Sequence, residues 1–81
     1  MPFIEKELLL SRVKYLIKIQ DKPGSLPINP AIIEKVNQMI ESEEILSFMQ
    51  VEAVFNYLVE KSNGKQNDLN ERASEILEFI N

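Results

Sequence analysis

The chain has 81 residues, enough for one domain around one small core and too few for a second. It contains neither Cys nor His, which removes disulfides, thiolate chemistry, the usual zinc, haem and iron–sulfur ligands and the commonest general base. Thirteen acidic against nine basic residues leave a net charge of −4, which repels a phosphate backbone at long range, while 44% hydrophobic content belongs to a folded globule and not to an acidic disordered tail.

The first predicted element is the apolar-rich stretch from Pro2 to Gln20. Read with a helical period, Glu7, Ser11, Lys14 and Lys18 stack in one polar stripe. Most of the remaining girth is apolar, through Phe3, Ile4, Leu8, Leu9, Leu10, Val13, Tyr15, Leu16, Ile17 and Ile19, so several neighbours are needed to bury it. Glu5 and Glu7 precede Arg12, Lys14 and Lys18, the order that the helix dipole favours. Asp21-Lys22-Pro23-Gly24 stops the helix.

An alternative reading places a strand at residues 12–20, because Val13, Tyr15, Ile17 and Ile19 alternate with their neighbours, although Leu16 breaks the pattern. Followed by Asp21-Lys22-Pro23-Gly24-Ser25-Leu26, such a strand resembles the first strand and ligand-binding turn of ACT domains, the small amino-acid-sensing regulatory modules. The resemblance implies an α+β sheet fold and a small-molecule ligand at the turn. It covers only the strand and the turn. The family's helix begins directly after the turn, whereas Pro27 and Pro30 intervene here, and no residues are left for the family's closing strand.

Lys22 to Asn29 reads as an ordered crossing. Asn29-Pro30 then supplies an N-cap and a first-turn proline for a second helix, in which Ile32, Ile33, Val36, Met39 and Ile40 share a face opposite Glu34, Lys35, Gln38 and Glu41. This helix should end around Glu41 to Glu43. A tight turn follows, with Ile45 and Leu46 expected to pack inward, and Ser47 with Gln50 forms a capping box in which Gln50 reaches back to the cap's own N–H. The third helix, Phe48 to Lys61, has Phe48, Val51, Val54, Phe55, Leu58 and Val59 as its core stripe and Glu52, Asn56 and Glu60 opposite. Ser62-Asn63-Gly64 provides its C-cap. Asp68 and Glu71 box the fourth helix, whose stripe is Leu69, Ala73, Ile76, Leu77 and Ile80 and whose outer side is acidic through Glu71, Glu75 and Glu78. Four helices with short connections predict an all-α compact bundle forming a single domain over the whole chain.

Chemistry-bearing constellations are sparse. The carboxylate pairs Glu43–Glu44 and Glu71–Glu75 lie at a helix end and on a polar face, where acid–base catalysis has no cleft to work in, and the serines have no His to activate them, so no enzyme activity is expected. The two glycines are isolated and build no phosphate loop, and the oxygen-rich run Ser62 to Asp68 lacks the spacing of a calcium loop, so neither cofactor nor metal is expected. Asn29 to Lys61 has the outline of a helix-turn-helix with Ser47, Gln50 and Asn56 facing a nucleic acid. Its second helix carries Glu52 and Glu60 and no Arg, and the basic set Lys6, Arg12, Lys14, Lys18 and Lys22 lies on the first helix, so nucleic-acid binding is the lesser reading.

Protein binding is the expected function. The surplus apolar surface of the first helix, with Phe3 and Leu10 as its candidates, offers a patch for self-association as a dimer or for a partner. The second candidate is Met49, Ala53 and Tyr57, a stripe beside the core face of the third helix, since Met adapts its shape and Tyr buries a large area at low entropy cost. The bacteriocin immunity proteins are similar in size and helix count, a likeness of fold class without shared signature residues. No segment reads as a secretory leader or a bilayer span, and a cytoplasmic location is expected.

Overall fold

The computed structural model describes residues 5–20, 23–24, 27–62 and 68–80. It contains four helices, α1 (Lys6–Gln20), α2 (Pro30–Glu41), α3 (Phe48–Ser62) and α4 (Leu69–Ile80), and the described residues include no strand. The all-α bundle is therefore the fold, and the alternative strand at 12–20 is helix α1. The reason is visible in what the bundle buries. Leu9, Val13 and Leu16, at i, i+4 and i+7, are inside, whereas Tyr15 and Ile19, which share the face of Val13 in the strand reading, are exposed. A helical stripe accounts for that burial and a strand does not.

Local chemistry sets the helix ends. The carbonyl of Glu5 accepts from Leu8 and Leu9 at the start of α1. Asn29 sits in extended backbone and its Oδ1 accepts the Ala31 N–H at 3.0 Å, with Pro30 in the first turn, as its sequence position predicts. Ser47 Oγ takes the N–H of Gln50 at 3.2 Å, and the Gln50 Oε1 accepts at 2.6 Å from Leu46, one residue earlier than the cap's own N–H. At the head of α4 the carbonyl of Asp68 accepts from Arg72, and the Asp68 carboxylate lies 3.1 Å from Arg72 Nε as an ion pair. The Ser62-Asn63-Gly64 cap falls, beyond Ser62, outside the described residues.

The exit from α2 follows the two-bond pattern of a Schellman motif. Glu44 N–H donates to Met39 O at 2.9 Å and Glu43 N–H donates to Ile40 O at 3.1 Å. The motif needs a left-handed residue at its corner, and Glu43 takes that place with φ 64°. Glycine would adopt this conformation without the Cβ penalty. Among the described residues its side chain is tied by a 3.9 Å contact to Lys6, and both groups are exposed. Glu43→Gly is therefore expected to stabilise the protein by about 1 kcal/mol, read as a rise of roughly 4–8 °C in the thermal midpoint. A lowered midpoint would contradict the motif.

The packing order places the helices in two layers. Lys6, at the start of α1, donates to Glu41 O at the end of α2, so these two run antiparallel. Arg12 lies over the Phe48 ring and Gln20 donates to Asn56, contacts that advance together along both helices, so α1 and α3 run parallel. α3 packs against every other helix, α2 touches all three others, and among the described residues α1 and α4 do not meet. The result is a layer ordered α1–α3–α4 with α3 in the middle and α2 laid across its back. The core lies between the layers: Leu9, Val13 and Leu16 of α1, Ile32, Val36, Met39 and Ile40 of α2, Ile45, Val51, Val54, Phe55 and Leu58, and Ala73 and Ile76 of α4. Phe48, Val59, Leu69, Leu77 and Ile80 pack partly buried at its margin. No described helix is long and apolar enough to cross a membrane.

Candidate protein-binding face

Among the described residues no helix covers the side of the layer turned away from α2. On α1, residues 8, 12, 15 and 19 recur at i, i+4, i+7 and i+11 and fall on the flank facing that side, so Leu8, Tyr15 and Ile19 stand half-exposed around Arg12. The Arg12 guanidinium lies 4.7 Å from the Phe48 ring centre and 5.4 Å from that of Tyr15, which ties α1 to the head of α3 through two cation–π contacts. Among the described residues it has no carboxylate partner.

On α3 the core is served by Val51, Val54, Phe55 and Leu58, which leaves Met49 pointing straight outward at 80% exposure. Ala53 and Tyr57, one and two turns on, turn toward α4 and are half-buried. Tyr57 packs against the core margin and lies beside Arg72 of α4. Asp68 first, then Glu75 and the Tyr57 hydroxyl, hold the Arg72 guanidinium above its usual range, against a partial desolvation. Beside this network Tyr57, Glu75, Ile76 and Phe79 line an apolar cleft of about 320 Å³, and Phe79 stands 86% exposed at its mouth.

The structure thus separates the residues singled out from sequence. Met49 is fully presented, Tyr57 forms the α3 wall of the α3–α4 cleft with Ala53 half-buried one turn before it, and Leu10 is turned toward α2, partly buried and packed on the core margin. Lys6, one turn before Leu10 and bonded to the end of α2, explains that orientation. Phe3 lies outside the described residues, as do Lys22 and most of the oxygen-rich run from Ser62 to Asp68. Leu46, expected inside, is instead exposed; Ile45 alone fills the turn, and Leu46 lines a second cleft with Lys6, Leu9 and Ile40 where α1 begins. Sequence reading missed Leu8, Tyr15, Ile19 and Phe79. Phe79 was legible as an aromatic residue one position off the core stripe of an otherwise acidic helix.

The helix-turn-helix candidates are occupied elsewhere. Gln50 closes the α3 cap, Asn56 accepts from Gln20, and α3 lies level between α1 and α4. Among the described residues no group of three or more His, Cys, Asp or Glu is placed to hold a metal ion. Among the described residues the exposed large apolar side chains are Leu8, Tyr15, Ile19, Leu46, Met49 and Phe79, and none belongs to α2, whose outward positions are Ala31, Glu34, Gln38 and Glu41. No protein-family model, curated protein or solved structure matches the chain.

Proposed function

We propose that the chain is a cytoplasmic, non-enzymatic protein-binding module that engages a partner through the open face of α1, α3 and α4. The observation that carries this reading is the sidedness of the apolar surface: among the described residues Leu8, Tyr15, Ile19, Met49 and Phe79 lie on one side of the layer, Leu46 stands apart at the α2–α3 turn, and α2 presents none. A solvated surface scatters such residues, and a recognition surface gathers them. The residue types fit as well, since Met, Tyr, Phe and Arg are those enriched where interfaces are driest. An inhibitor, immunity protein, antitoxin, adaptor or assembly factor all work by presenting such a face.

The test is capture with tagged wild-type protein beside a Met49→Lys/Phe79→Lys variant. Both positions are more than three-quarters exposed, so the charges leave the fold intact. A polypeptide recovered in stoichiometric amount with the wild type and lost with the variant is the expected result. Identical recovery by both proteins would overturn the reading.

A further inference from the structure

Resting on that reading of the face, we infer that its occupant is a second copy of the chain, docked face to face about a two-fold axis running along α3. The argument is the distribution of charge across the layer. At one edge, α1 carries Lys14 and Lys18 against a single Glu7, with Arg12 on the open flank beside them and Lys6 already held at the end of α2. At the other, α4 carries Glu71, Glu75 and Glu78 against a single Arg72, which Asp68 and Glu75 already hold. The basic and acidic edges do not meet within one chain, because α3 stands between them. The outward line of α3 between them carries Met49 with Glu52, Asn56 and Glu60, and a surface basic at one edge and acidic at the other is complementary to itself at those edges when turned over about that line. That operation lays α1 of each copy over α4 of its partner, twice.

The register follows from contacts within one chain. Arg12 is level with Phe48 and Gln20 with Asn56, while Tyr57 is level with Arg72 and Ile76. A two-fold along α3 preserves those levels. It brings Tyr15 against the partner's Phe79, Ile19 toward the partner's α3–α4 cleft, Lys18 to the partner's Glu78, and Met49 to the axis beside its own counterpart. The half-exposed apolar residues of α1 are then covered by the cleft that the same chain offers on α4. A net charge of −4 on each chain opposes association at long range, and the pairing of unlike edges together with the covered apolar surface offsets it.

The experiment is sedimentation equilibrium with light scattering over a dilution series, on wild type and three variants, with circular dichroism confirming helix in each. The wild type is expected at twice the 9.4 kDa chain mass at high concentration. Tyr15→Glu is expected to be monomeric while still helical. Lys18→Glu should weaken the dimer roughly tenfold, and Lys18→Glu combined with Glu78→Lys should restore it, because the swapped edges again oppose unlike charges. A dimer indifferent to Tyr15→Glu, or a charge swap without rescue, would overturn this arrangement. A wild type that stays monomeric at every concentration would also overturn it; if its capture of another protein still depends on Met49 and Phe79, the binding face stands with a different occupant, and if not, both readings fall.

Discussion

Val54→Asp is expected to leave the chain largely unfolded at neutral pH. Val54 is completely buried on the core side of α3, the helix that packs against all three others, so no rotamer carries a carboxylate from there to water. An unpaired charge in that position costs several kcal/mol, against a total stability of roughly 4–12 kcal/mol for a chain of this length. The introduced carboxyl would be held above its ordinary range in the folded state, since burial disfavours the ionised form. Its penalty is therefore greatest at neutral pH and lessens as pH falls through the folded-state value. Val54→Asn, which has the same shape and no proton to take up, provides the comparison. Circular dichroism across pH should show helix returning to the Asp variant on mild acidification and no comparable recovery in the Asn variant. A Val54→Asp protein with a native spectrum and midpoint at pH 7 would overturn the placement of this face.

The fold was legible because each helix announces itself through independent signals that agree. Asn29-Pro30 and Ser47 with Gln50 mark two starts by side-chain chemistry that the structure contains, and Ile32, Val36, Met39 and Ile40 repeat at a spacing that only a helix turns to one side. The order of the layers was not legible. Helix α1 is apolar over most of its girth, and periodicity does not say which part of that girth meets α2, which meets α3 and which is left open. That choice belongs to tertiary partners, and it leaves Leu8, Tyr15 and Ile19 more exposed than Leu10. Leu46 failed for a related reason: once Ile45 filled the space under the turn, the left-handed corner at Glu43 and the Gln50 bond to the Leu46 N–H left that side chain outside. The candidate face was half visible. Met49 and Tyr57 stood off the core stripe of α3, but the cleft that joins Tyr57 to Phe79 exists only after α4 has packed beside α3.

Phe55→Ala is expected to lower stability by about 3–5 kcal/mol, the range for truncating a buried Phe, through lost transfer energy and the cavity that remains. Phe55 heads the fully buried side chains by volume and belongs to the one helix in the layer with a neighbour on each side and α2 behind. A void there withdraws contacts from the meeting point of the two layers, and close-packed surroundings relax into it only in part. The thermal midpoint should fall by on the order of 20 °C, with α1 and α4 melting together, because both depend on α3 and neither touches the other. Ile76→Val on α4, at the edge of the core, should cost only about 0.5–1.5 kcal/mol. Denaturant titration followed by circular dichroism and by amide exchange on each helix distinguishes the two. A loss under about 1 kcal/mol for Phe55→Ala, or an α1 that keeps its protection while α4 opens, would remove α3 from the centre of the fold and with it the layer on which the binding face is built.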